Sequence, residues 1–302
     1  MQWCNNDTRE HLFSHVCVRI KRTIPSWRWD LSRSLYPCSF AVVPARAWPF
    51  LTVYGPELES IFLYINKYTQ QAGCVDREKL YSAYLPHAAH ASRGQTKNIE
   101  DAVNYLKAAG LIGGDSAYFS IQPNIDIGMP FAAHLLRQFR QLEHHSPQLP
   151  PLDLLYVTLL EQLFILPDRV WISDVHAAVN QLELAQQVGG VSQEKIGAWK
   201  RVMEFLGIGY RMSSGFYCLY QPKLLHTIAW RWTMTEGTLQ EFFEEHLQSW
   251  IPSLTARGEA ARSVSYALEQ LARDGKIRLL PKQDSPSRPY FGTRYVRGIE
   301  LV

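Results

Sequence analysis

One pattern of residues occurs three times along this chain, and each copy is long enough to be a small structural unit. A polar or basic stretch runs into an amphipathic helix, the helix stops at a glycine, and a short hairpin follows. In the first copy Arg93-Gly94-Gln95-Thr96-Lys97-Asn98 leads into Ile99 to Ala109, Gly110 ends the helix, and Gly113-Gly114-Asp115 turns into Tyr118-Phe119-Ser120-Ile121-Gln122-Pro123. The second copy runs from Ser192 through Trp199, Met203, Leu206 and Gly207 to Phe216-Tyr217-Cys218-Leu219-Tyr220-Gln221-Pro222. The third runs from Arg257 through Val264, Leu268, Leu271, Gly275 and Ile277 to Arg294-Tyr295-Val296. Glycine accepts the left-handed backbone that ends a helix, so each stop has a physical reason. A chain built this way is constrained to the α+β class, mainly helical with small β-hairpins.

Each copy has apolar helices upstream. Leu58, Ile61, Phe62, Ile65 and Tyr68 recur at helical spacing, Asp76 is a natural N-cap for Arg77 to Tyr84, and the next helix is predicted to begin near Thr96. In the second unit Leu152, Leu155, Leu159, Leu160, Leu163 and Phe164 form the first helix, Val170-Trp171-Ile172 a short strand, and Ser192 the cap of the third helix. In the third, Leu239, Phe242, Phe243 and Leu247 read as the first helix. The predicted division is an N-terminal, Trp-rich extension (1–56), units at 57–125, 152–234 and 235–302, and a linking helix with a Pro-rich linker at 126–151. The unit starts are spaced by roughly 85–95 residues, which is domain-like, so three separate units are expected. The helix from Leu224 to Trp232 reads as a connection between the last two.

Charge is uneven although the net value is only +3. Residues 1–56 carry net +4, 57–125 net −1, 126–254 net −4 and 255–302 net +4. Basic ends around an acidic middle confine any phosphate contact to the ends. Five scattered cysteines, a polar start and no apolar run of membrane length point to a reducing, cytoplasmic setting with no membrane contact.

At this point the chain resembles the winged helix-turn-helix superfamily, in tandem copies over about residues 57–302. The Gln-Pro after two hairpins, Gln122-Pro123 and Gln221-Pro222, fits internal duplication. The resemblance implies a third helix that enters the major groove with its first residues on base edges. In the first unit those residues are Arg93, Gln95, Thr96, Lys97 and Asn98, types suited to phosphate, guanine and adenine. Thr96 also suits a capping role, with Glu100 placed to answer it. In the third unit Arg257, Arg262, Ser263 and Tyr266 lie on or before the helix, and Lys282, Arg288, Arg294 and Arg297 lie in or beside a long hairpin. A basic hairpin of that kind can lie along phosphates.

The second unit argues otherwise. Lys195, Lys200 and Arg201 are on its third helix, but Glu183, Glu194, Glu204, Glu236, Glu241, Glu244 and Glu245 surround them, a surface that repels phosphate and suits a protein partner. Trp is usually well buried, so Trp230 and Trp232 read first as core, with a protein-facing patch as the alternative. Cys4, His11, His15 and Cys17 do not follow a zinc spacing, and no cofactor is implied. No phosphate-loop, dinucleotide, zinc-protease or serine-hydrolase motif occurs, so an enzyme is not expected. The leading expectation is a non-enzymatic, double-stranded DNA-binding protein, a regulator or the DNA-recognition subunit of a larger machine. Two rivals remain open. One is a protein-binding scaffold similar to the winged-helix subunits that accompany kleisins in SMC-type complexes; the other is a plasmid-type replication initiator.

Overall fold

The computed structural model describes residues 53–85, 93–145, 149–281 and 296–302. Helix α1 (Gly55–Ala72) opens with Pro56, where a helix needs no N–H, and buries Leu58, Ile61, Phe62 and Ile65 along one face. Strand β1 (Val75–Asp76) runs straight into α2 (Arg77–Tyr84), because the Asp76 carboxylate accepts from Lys79 N and caps the helix. Helix α3 (Arg93–Ala108), β2 (Ile112–Gly113) and β3 (Tyr118–Ile121) complete the first repeat. β3 pairs antiparallel with both β1 and β2, so the last strand lies in the middle of a three-stranded sheet.

Helix α4 (Phe131–His145) follows, then α5 (Pro151–Leu160), which continues into a π-helical turn at Glu161–Ile165. The second repeat goes on with β4 (Trp171–Ile172), α6 (Val175–Asn180), α7 (Glu183–Gln187), α8 (Gln193–Phe205), β5 (Gly209–Met212) and β6 (Gly215–Cys218). Its sheet has the same order, with β6 between β4 and β5. The third repeat is α9 (Pro222–Ala229), β7 (Glu236–Thr238), a π-helical segment at Glu241–His246 with a 3₁₀ turn at Leu247–Ser249, α10 (Arg262–Arg273), β8 (Ile277–Leu280) and β9 (Gly298–Leu301). Here β9 is central.

Two differences from the sequence reading concern order and separation. Leu239 to Leu247 follows β7, and α9, read as a connection, precedes it in the place that α1 and α5 hold in their repeats. Apolar periodicity marks both segments as core helices, but it cannot number them when the strand between is three residues long. The repeats also do not keep separate cores. One buried apolar cluster runs from Val53 to Ile299 and includes Phe131, Leu135, Leu136 and Phe139 of α4. At the first seam Gly55 lies so close to Phe205 of α8 that a Cβ there would fall 2.1 Å from its ring. Tyr105 and Tyr156, both fully buried, share a hydrogen bond of 2.6 Å across the same seam. The expected Trp-rich extension (1–56) lies outside the described residues except for its last four, of which Gly55 and Pro56 already belong to α1. Among the described residues no helix is long and apolar enough to cross a membrane.

Candidate nucleic-acid interface

The start of α3 is set by helix geometry before chemistry. The helix begins at Arg93, so Arg93, Gln95 and Thr96 occupy its first turn rather than a loop ahead of it. Thr96 is therefore not the cap, and Glu100 pairs with Arg77 of α2 at 2.8 Å. Lys97 and Asn98 are exposed, and Asn104 continues the open side two turns on. Burial raises the Asp101 carboxyl, against the opposing effect of Lys97. The hairpin beside α3 is a poor phosphate grip. Its tip carries Asp115, whose carboxylate accepts from Tyr118 N and Ala117 N and is held below the usual range by those bonds.

Two cations of α8, Lys200 and Arg201, are drawn inward. Lys200 is buried, and its Nζ donates to the carbonyls of Ser213 (3.1 Å) and Ser214 (2.9 Å) at the hairpin tip. Burial, with Arg211 nearby, lowers its pKa. The Arg201 guanidinium sits over the Tyr54 ring of the first repeat, 5.3 Å from its centre. An open groove between α8, the start of α6 and the hairpin tip is lined by Asp174, His176, Glu194, Lys200 and Arg201, a mixed-sign surface.

At the seam of the second and third repeats the structure gathers residues that lie far apart in sequence. Asp168 takes a left-handed backbone (φ 54°), and its carboxylate accepts from Arg262 N at 2.8 Å and Arg262 Nε at 2.9 Å. The Arg262 Nη2 also donates to the Asp168 carbonyl. Ala261, the N-cap position of α10, offers no side-chain bond, so Asp168 caps that helix from another repeat. Ala256 N donates to Leu166 O at 3.1 Å, which lays the loop bearing exposed Arg257 on the same turn. Exposed Arg169 is the next residue after Asp168, and Tyr266 stands exposed one helical turn beyond Arg262.

Ser263 is a correction. It is 2% exposed and faces the Cys218 thiol, which burial pushes up to about 12. The helical period that turns Arg262 and Tyr266 outward turns Ser263, Val264 and Ala267 inward. Arg297 is half-buried, and its backbone bridges Leu280 O and Leu239 N. Lys282, Arg288 and Arg294 lie outside the described residues, as do Cys4, His11, His15 and Cys17. Trp232 is buried against Phe242, whereas Trp230 is 53% exposed and donates from Nε1 to His226 Nε2. The reading of both tryptophans as core therefore holds only for Trp232.

The sequence reading missed one feature of the second sheet. Trp171, Tyr217 and Tyr210 are direct cross-strand partners, one from each strand. Partners in one register row share a face. The next row, Ile172, Phe216 and Arg211, places Ile172 and Phe216 in the core, so the aromatic row points away from it. Val170-Trp171-Ile172 reads as a strand from sequence, but its pairing with residues 216–217 is long-range and has no local signal.

No family model, curated protein or solved structure matches this chain. Its function must be argued from its own geometry.

Proposed function

We propose that this chain is a tandem winged-helix protein that binds double-stranded DNA without catalysing a reaction on it. The observation that carries the reading is the connectivity shared by the three repeats. A helix, a strand, one or more helices, a final helix and a hairpin follow in order, and the hairpin's last strand lies between the other two. That is the path of a winged helix, in which the final helix is the groove reader. On this reading Arg93, Gln95, Thr96, Lys97 and Asn98 at the start of α3 supply base and phosphate contacts. Arg257, Tyr266 and Arg297 of the third repeat, with Lys282, Arg288 and Arg294 of its hairpin, supply further phosphate grip. α8 contributes little, since Lys200 and Arg201 are engaged within the fold.

The test is fluorescence anisotropy with a mixed-sequence duplex over a series of salt concentrations. Affinity should fall steeply with salt as Lys and Arg displace condensed counterions. Substituting Lys97→Ala and Asn98→Ala together should weaken binding and lower the salt slope by about one unit for the lost phosphate contact. No binding at low salt would overturn the DNA reading. One observation favours a second reading, a protein-binding scaffold: Trp230 stands exposed at the C-cap of α9 within the acidic middle of the chain. Such a ring is a common anchor for a protein partner.

A further inference from the structure

We propose that the outward face of the β4–β6–β5 sheet is a stacking site for single-stranded DNA. The proposal rests on the reading of the chain as a DNA-binding protein and adds a second, chemically different contact to it.

The geometry begins with the aromatic row. Trp171 is 39% exposed and Tyr210 is 50% exposed, with Tyr217 between them in register. Gly215 makes room for the indole: a Cβ built there would fall 2.4 Å from Trp171 Cη2 and 2.9 Å from Cζ2. The Cη2–Cζ2 side of the six-membered ring therefore lies over the glycine, and the indole stays partly open to solvent. The Tyr217 ring is 5.4 Å away and inclined by only 34°. Exposed Met212, the register partner of Gly215, extends the apolar surface.

The third sheet shows what this row looks like where it is a solvated surface. There it is Glu236, Glu300 and Arg278, with Arg278 and Glu300 in an ion pair. Charged residues suffice where that face meets water. Three rings in one exposed row leave apolar area in water that the fold does not need to leave there.

Charge then selects the occupant. Arg169 is two residues before Trp171, and the bonds at Leu166 and Asp168 bring Arg257 and Arg262 to the same turn. Three arginines against two carboxylates, Asp168 (paired with Arg262) and Glu259 of the loop that bears Arg257, leave this turn one net positive charge. Flat rings that stack bases, next to cations that follow a phosphate backbone, are the two parts of a single-strand site. A duplex offers no free base faces to such rings. A proline-rich peptide would use the rings and leave the cationic cluster without a counterpart.

The experiment compares labelled oligo(dT) with a duplex of the same length, using the full chain and four variants. Tyr210→Ala and Trp171→Ala should each weaken oligo(dT) binding on the order of 10-fold or more. They should leave duplex affinity unchanged, and Trp171→Phe should restore part of the loss. Lys97→Ala with Asn98→Ala should do the reverse, weakening duplex and sparing oligo(dT). Circular dichroism and thermal unfolding identify any variant that does not fold; Tyr210→Ala, at an exposed position, carries the test if Trp171→Ala fails. Unchanged oligo(dT) affinity in folded Tyr210→Ala overturns the stacking site, as does absence of oligo(dT) binding by the native chain at low salt. In either case persisting duplex binding leaves the DNA reading standing, while loss of both ends it. Tighter binding of oligo(U), or binding of polyproline that Tyr210→Ala removes, would assign the face to RNA or to protein and overturn the proposal.

Discussion

Asp168 does more than its place in a surface turn implies. Its left-handed backbone puts the carboxylate against the first N–H of α10 and the Arg262 guanidinium together. An exposed ion pair alone is worth little, because solvent screens it and two side chains lose freedom. The capping bond is the larger part, since it satisfies a helix donor that Ala261 leaves unmet. Replacing Asp168→Ala removes the cap and leaves a Cβ residue in left-handed geometry, so it should cost about 1–2 kcal/mol in chemical denaturation. Asp168→Asn keeps an acceptor and tolerates the backbone, and should cost clearly less. Equal losses for the two would place the stabilisation in the charge rather than the cap. Nothing local reveals a partner 94 residues away.

Elements were legible where their causes are local. Gly110, Gly207 and Gly275 each end a helix with positive φ, at 67°, 80° and 68°, and each precedes a hairpin as the sequence pattern requires. Asp76 and Ser192 cap the helices expected of them. What escaped were features fixed by long-range pairing: β1 and β7, the place of α9 ahead of β7, and the row of rings made by β4 meeting β6. The start of α3 shifted for a related reason, since Arg93 to Gln95 are polar and carry no periodic signal. Gly215 tests the sheet as an element. A Cβ there would also fall 2.6 Å from Ile172 O, so the indole and the β4 backbone would both have to move. We expect Gly215→Ala to cost about 1–3 kcal/mol, the usual range for overpacking. The near-ultraviolet circular dichroism of the indole should change with it. An unaltered spectrum would mean that Trp171 does not lie across this glycine.

Across the whole molecule the repeats share one core, and a buried cation bonds across them. Arg140 of α4 is buried and donates to Glu143 of its own helix, to Glu161 at the π-helical turn of the second repeat (2.8 Å), and to Gln248 of the third through the carbonyl (3.1 Å) and side-chain oxygen (3.3 Å). One cation therefore faces two largely buried carboxylates. Burial, and after it the hydrogen bond that the protonated Glu143 carboxyl donates to the Glu161 carboxylate, raises Glu143 from its ordinary 4.5 to about 7, against the pull of Arg140. Folding thus takes up a proton between these values. Stability tied to Glu143 is fully present below about 4.5 and is lost as pH rises through about 7. Glu143→Gln keeps an acceptor for Arg140 and removes the second charge. Its midpoint in urea should exceed that of the native chain at pH 8 and should lack the decline across the window. Arg140→Met strands both carboxylates and should cost about 3–5 kcal/mol, more at pH 8 than at pH 5. Because the core is continuous, that loss should appear as earlier unfolding of all three repeats together, read as a common fall in amide protection in α1, α8 and α10. Loss of protection in one repeat alone would show that the shared core does not couple them.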